Sequence, residues 1–249
     1  MLDAPASGAV AQFMQYLSTN TNLFGRTDPF SSEYEITLVG HSMGTIILNE
    51  VIRRYGNLPF RNIVYMGAAC TIKDFEDSVI PYLQQHRTNG VNFYNLCLHP
   101  LAERHETNGR DLIPRGSLLE WIDNFLSSPQ TVPDHTLGKF ENFVRAAHLI
   151  PSEVRGQVHV KAFGVAGSLF DGSPYGTKES TNLFDRTNQM PRLVSEDNFL
   201  IFPVITNPQK HGDFSLQPYW EEAFWAADRP EVVLENTKAV RKKAAQLAK

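Results

Sequence analysis

Apolar residues recur along the chain at two spacings, and the spacing switches repeatedly. Val10, Phe13, Met14 and Leu17 fall at helical intervals, so Gly8 to Leu17 reads as a helix. Tyr34 to Val39 is a short β-rich run. The helical period returns over Met43 to Tyr55, with Ile46, Ile47, Val51 and Tyr55 on one side. A second strand is expected over Asn62 to Met66, ending in Gly67-Ala68-Ala69. Phe75, Val79, Tyr82 and His86 mark a helix that stops at Gly90. Val91 to Leu98 reads as a third strand, Leu118 to Leu126 and Phe140 to Ala147 as helices, and Gln157 to Val165 as a fourth strand. Pro218 to Ala227 reads as one more helix. Strands separated by helices predict an α/β fold, with a mostly parallel sheet flanked by helices and joined by right-handed crossovers.

Two stretches break this alternation. Gly167 to Lys210 is rich in Gly, Pro, Ser, Thr and Asn, with a brief apolar patch from Phe199 to Ile205. It is expected to be a long loop or a lid-like insertion. Glu231 to Lys249 reads as a basic, solvated helical tail. No repeat divides the chain, so residues 1–249 are read as a single domain.

Composition adds little to this picture. The 42% hydrophobic and 20% charged residues suit a globular domain, and a net charge of −4 gives no reason to expect a nucleic-acid partner. No apolar run approaches the ~20 residues of a membrane span. Met1 to Pro5 lack the basic start and apolar core of a signal peptide, so a cytoplasmic location is expected. Cys70 and Cys97 lie in or just after apolar runs and read as buried, reduced thiols. Nothing in the sequence fixes an oligomeric state.

The candidate chemistry begins at Leu38-Val39-Gly40-His41-Ser42-Met43-Gly44-Thr45. A bare Gly-x-Ser-x-Gly arises by chance in about one chain in ten of this length. Here it leaves an apolar strand and opens an amphipathic helix, the setting that gives the motif its meaning. The serine must stand on a strained turn so that its hydroxyl clears the sheet edge, and Gly40 and Gly44 are expected to be glycine because a Cβ on either side has no room. The helix starting near Met43 turns free N–H groups and its positive dipole end toward the reacting oxygen, so the Met43 N–H is the candidate oxyanion donor.

Gly40-His41-Ser42-Met43-Gly44 and its flanks resemble the nucleophile elbow of the α/β-hydrolase superfamily of lipases and esterases. The resemblance implies a chain order of serine, acid and histidine, with the elbow after the family's fifth strand, the acid after its seventh and the histidine after its eighth. A serine nucleophile needs a base within hydrogen-bond reach and a carboxylate to orient that base. Of eight histidines, His211 in Gln209-Lys210-His211-Gly212-Asp213-Phe214 is the candidate, because it follows the fourth strand and precedes a helix, a setting similar to the family's histidine loop. His41 lies inside the turn, and its side chain is expected to point away from Ser42. The acid is sought after the third strand, where Glu103, Glu106 and Asp111 all qualify. Asn108-Gly109-Arg110-Asp111-Leu112-Ile113-Pro114 is similar to the acid segment of fungal class 3 lipases, which favours Asp111. Asp134-His135, with His99 and His105, invites a metal-site reading, but the spacings match no common site.

The resemblance covers about Gly8 to Ala227, the C-terminal half of the superfamily's fold. A complete member has about four strands ahead of the elbow, whereas 41 residues here precede Ser42 and hold one clear helix. The loop that supplies a second oxyanion donor has no counterpart upstream, so the domain is expected to be partial, with an uncovered sheet edge. Two functions follow. One is hydrolysis of carboxylic or lipid esters through an acyl-enzyme on Ser42, with no cofactor and with Leu169, Phe170, Leu183 and Phe184 of the long loop covering an apolar pocket; transfer of the acyl group to an alcohol or thiol shares that intermediate. The other is a non-catalytic binding module built on the same scaffold.

Overall fold

The computed structural model describes residues 8–20, 29–31, 34–106, 116–163, 200–204, 208 and 210–226. Its centre is a parallel sheet of β1 (Ile36–His41), β2 (Phe60–Met66), β3 (Asn92–Leu98) and β4 (Val158–Phe163), extended by β5 (Leu200–Val204). The strands lie side by side in sequence order, and every adjacent pair is parallel. Helices α1 (Ala9–Thr19), α2 (Gly44–Arg54), α3 (Ile72–Gln85), α4 (Pro100–His105), α5 (Leu118–Trp121) and α6 (Phe140–Ala146) connect or flank them. The α/β class read from the sequence is the class observed.

The inner strands are buried nearly throughout because both of their faces are covered. Ile63, Tyr65, Phe93, Val158 and Val160 pack with Val51, Ile52, Phe75, Val79 and Leu83 of α2 and α3 into one core. Val64, Met66, Tyr94, Leu96, Leu98 and Phe163 point to the opposite face, where Phe214 and Trp225 complete a second core. Each fully buried side chain of this size stabilises the fold by roughly 1.5–3 kcal/mol. Both cysteines are buried and unpaired. β1 is only half-buried along its length, and among the described residues β2 is its one neighbour in the sheet. β1 is also the one strand ahead of Ser42 among the described residues.

Several local expectations need correction. The apolar stripe of the first helix is only in part its buried face: Met14 is buried and Leu17 packs against the core, while Val10 and Phe13 are exposed. In α2, Ile46 and Ile47 are exposed and the buried face carries Thr45 and Asn49 beside Val51 and Ile52. Hydrogen bonds explain why the buried face is rotated from the apolar stripe. Asn49 Oδ1 accepts from the Tyr65 hydroxyl at 2.7 Å and the Ser78 hydroxyl at 2.5 Å. Thr45 Oγ1 donates to the Ser42 carbonyl at 2.7 Å and accepts from the Cys70 N–H at 3.3 Å. A buried polar group with partners on two neighbouring elements outweighs a hydrophobic pattern.

The apolar patch within Gly167 to Lys210 is strand β5, so His211 follows a fifth strand and not the fourth. Residues 164–199, which include Leu169, Phe170, Leu183 and Phe184 of the expected lid, lie outside the described residues, as does the tail from Glu231. The helix expected over Pro218 to Ala227 is a short one, Glu222–Trp225. Beyond α5 the backbone widens into a π-helical turn, Ile122–Leu126, which carries Asp123 inside. There Asp123 accepts from the Thr136 N–H at 3.0 Å and from Asn142 Nδ2 at 2.7 Å, and lies 3.3 Å from His135 Nδ1. His135 therefore pairs with Asp123, while neighbouring Asp134 caps Thr131. No helix among the described residues is long and apolar enough to cross a membrane.

Candidate active site

Ser42 stands one residue beyond β1 with a φ of 54°, in the left-handed region that a side chain rarely adopts. Such a conformation costs roughly 1–3 kcal/mol and persists only where its surroundings over-determine it. Here they do. The Ser42 N–H donates to the Met66 carbonyl at the end of β2, at 3.0 Å. The Ser42 carbonyl accepts from the Thr45 N–H at 3.2 Å, the Ala69 N–H at 3.2 Å and the Thr45 hydroxyl at 2.7 Å. A Cβ at Gly40 would sit 2.7 Å from Leu48 Cδ1 and 3.2 Å from the Thr45 nitrogen, so any side chain there would force Leu48 aside and crowd the start of α2. Gly44 differs from expectation: a Cβ built on it meets nothing within 4 Å. The close approach that the motif demands falls on the strand side of the turn alone. Met43 precedes the first residue of α2, and its N–H has no hydrogen-bond partner among the described residues.

His211 opens a 3₁₀ helix, His211–Leu216, and is buried. Its Nε2 lies 3.0 Å from Ser42 Oγ, bringing together two residues 169 positions apart. The ring lies against Gly67, at the end of β2, where a Cβ would stand 2.9 Å from both Cε1 and Nδ1. Gly67 has a φ of 49°, which also favours glycine. Beneath it Gly138 presses on the Gly67–Ala68 backbone, and its N–H donates to the Ala68 carbonyl at 2.9 Å.

Two side chains hold the main chain of His211. His41 Nε2 donates to the His211 carbonyl at 3.0 Å, with the two rings 5.1 Å apart. Glu106 Oε2 accepts from the His211 N–H at 2.9 Å. His41 therefore turns toward the site's histidine, a contact that local sequence does not announce. Asp111 lies outside the described residues. Of the other acid candidates, Glu106 reaches the main chain of His211. Glu103 is buried, bonds the Ser117 hydroxyl through Oε1, and has no partner for Oε2 among the described residues.

Burial holds the His211 imidazole down to about 4, and the neighbouring His41 pushes in the same direction. The ring is thus neutral at neutral pH and able to accept a proton. When Nε2 accepts from the Ser42 hydroxyl, the ring proton resides on Nδ1. Nδ1 is buried and has no partner among the described residues.

The buried titrating groups set a pH dependence of stability. Burial also brings His99 to about 4, opposed by Glu141, and His159 to about 4. The unfolded chain protonates these three histidines near 6.5, so between about pH 6.5 and 4 it binds more protons than the folded chain, and acid destabilises. Burial raises the Glu103 carboxyl to about 8, with the Ser117 hydroxyl opposing. Its contribution is complete below the unfolded value of 4.5 and is lost as pH rises through 8. Burial raises the Glu106 and Glu76 carboxyls as well, Glu103 furthest of the three, and the histidines outweigh these carboxyls below about pH 6.5. Melting temperatures measured from pH 4 to 8.5 are expected to peak near about pH 6.5, falling steeply toward acid and gently toward base. Glu103→Gln is expected to flatten the basic limb; an unchanged limb would mean that Glu103 is ionised in the fold.

Comparison with protein families, curated proteins and solved structures finds no match.

Proposed function

We propose that the chain is a serine hydrolase of the α/β-hydrolase type that cleaves carboxylic esters through an acyl-enzyme. One observation carries the reading: Ser42 is held at a φ of 54° with its Oγ 3.0 Å from Nε2 of a buried, neutral histidine. A serine hydroxyl at hydrogen-bond distance from an unprotonated imidazole is the pair that general-base activation requires.

In this reading Ser42 Oγ attacks the ester carbonyl carbon while His211 Nε2 takes the hydroxyl proton. The oxyanion turns toward the Met43 N–H, unpaired among the described residues, and the positive end of α2. As the tetrahedral adduct collapses, the C–O bond to the alcohol breaks and His211 returns its proton to the leaving oxygen. Water then repeats the sequence on the acyl-serine, with His211 again taking and returning the proton. Asp111 is the acid of this proposal, accepting from Nδ1–H and stabilising the imidazolium. It lies five residues beyond Glu106, whose carboxylate touches the His211 main chain. Exposed Met43, Ile46 and Ile47 follow the nucleophile and favour an apolar acyl group.

A fluorophosphonate probe tests the proposal. The folded wild type is expected to be labelled once per chain, and Ser42→Ala is expected to lose the label. A folded wild type that takes no label overturns the esterase reading and leaves the scaffold as a non-catalytic binding module, for which the position of β1 at the edge of the described sheet is the supporting feature.

A further inference from the structure

We propose that Glu106 and His41 are positioning residues that together clasp the main chain of His211 and so set the distance between its ring and Ser42. The inference rests on the reading of Ser42 and His211 as nucleophile and base, and goes beyond it by identifying what holds the base in place.

Among the described residues the ring is packed against Gly67 and His41 and is held by little hydrogen bonding. Among the described residues its one hydrogen-bond contact is Ser42 Oγ, the atom it must act on, and Nδ1 has none. The main chain of the same residue is held on both sides. Its N–H donates to Glu106 Oε2 at 2.9 Å, from just beyond the C-terminal end of α4. Its carbonyl accepts from His41 Nε2 at 3.0 Å, from the last residue of β1. These two anchors belong to different elements, 105 and 170 residues away in the chain.

His41 is adjacent to Ser42, so the bond to the His211 carbonyl ties the base to the nucleophile's own strand. Glu106 is fixed in turn by the Gly116 N–H, which donates to its carbonyl at 3.0 Å. The opening of a 3₁₀ helix leaves N–H groups without partners inside the helix. Lys210 takes the local cap, its N–H donating to Asp213 Oδ2 at 3.0 Å, and the His211 N–H takes a carboxylate from a distant element instead. With both main-chain groups pinned, the ring can turn about its side-chain bonds only as far as Gly67 on one side and His41 on the other allow.

Releasing either anchor lets His211 drift, and a displacement of about 1 Å costs up to about 100-fold in rate. Glu106→Ala and His41→Phe remove an acceptor and a donor; the second keeps an aromatic ring beside His211 and Phe214. Glu106→Gln and His41→Gln restore an acceptor oxygen and a donor nitrogen. On a nitrophenyl ester, the first pair is expected to lower kcat by about 10- to 100-fold with KM within about twofold, and the glutamine variants to recover most of that loss.

Two results overturn the clasp: full kcat in Glu106→Ala and His41→Phe, or equal losses in the removing and restoring variants. A readout independent of turnover separates this from failure of the esterase reading. The ¹⁵N shift of His211 Nε2 reports its hydrogen bond to Ser42. It is expected to move toward the unbonded value in Glu106→Ala and to return in Glu106→Gln, whether or not the wild type hydrolyses an ester. An unmoved shift in folded Glu106→Ala ends the proposal. Should that variant fail to fold, His41→Phe and His41→Gln give the same comparison.

Discussion

His211→Ala is expected to lower turnover of a nitrophenyl ester by about 10⁶-fold, close to the loss in Ser42→Ala. The two residues act as one unit. Without the imidazole, Ser42 Oγ is an unactivated alcohol; without the hydroxyl, the imidazole has nothing to deprotonate. The Ser42→Ala, His211→Ala double variant is therefore expected to be no worse than either single one, because each substitution already removes the same step. Additive losses in the double variant would mean that the two side chains serve separate reactions, and would remove the reading built on their 3.0 Å contact. Asp111→Asn is expected to lose about 10⁴-fold, since the amide favours the wrong imidazole tautomer and supplies no charge to balance the imidazolium. Normal turnover in Asp111→Asn would take Asp111 out of the mechanism. The acid role would then return to Glu103 or Glu106, which the structure occupies with the Ser117 hydroxyl and the His211 N–H.

The largest effect on stability is expected at Gly138. A Cβ there would lie 2.1 Å from the Ala68 nitrogen, 2.5 Å from the Gly67 carbonyl carbon and 2.6 Å from the Ala68 oxygen. All three are backbone atoms, so no rotamer change relieves the overlap. The surroundings resist movement as well. The Leu137 N–H donates to the Cys70 carbonyl at 2.9 Å, and Asn95 Nδ2 donates to the Leu137 carbonyl at 3.1 Å. Gly138→Ala is expected to destabilise by about 4 kcal/mol or more, a fall of roughly 8–16 °C in melting temperature for a chain of this size. Gly44→Ala provides the contrast. It adds a methyl to the first residue of α2 where nothing lies within 4 Å, and is expected to leave the melting temperature unchanged or slightly raised. Equal effects at the two positions would show that backbone approach at Gly138 is looser than its geometry implies.

Some of this site is readable along the sequence because its signals are local. Strand, turn glycine, serine and helix follow one another around Ser42, and His211 sits in a short polar loop beside a glycine. The anchors of His211 could not be read that way. A carboxylate accepting a main-chain N–H 105 residues distant leaves no local pattern, and neither does an imidazole bonded to a carbonyl 170 residues away. β5 escaped notice for another reason. Leu200 to Val204 is five residues long and contains Pro203, a residue that sheets confine to their edge strands, and β5 is the last strand of the described sheet. The rotated buried face of α2 shows a third limit. Hydrophobic periodicity predicts burial of Ile46 and Ile47, yet Thr45 and Asn49 find partners on β2, α3 and the turn after Ser42.

Both cysteine thiols sit deep in the protein, and that bears on how the serine can be assayed. Burial pushes the Cys70 thiol up to about 11 and holds Cys97 well above its ordinary range. At the mildly alkaline pH of esterase assays neither forms the thiolate that alkylating and acylating reagents attack. An electrophile added to the native protein therefore meets no competing thiolate.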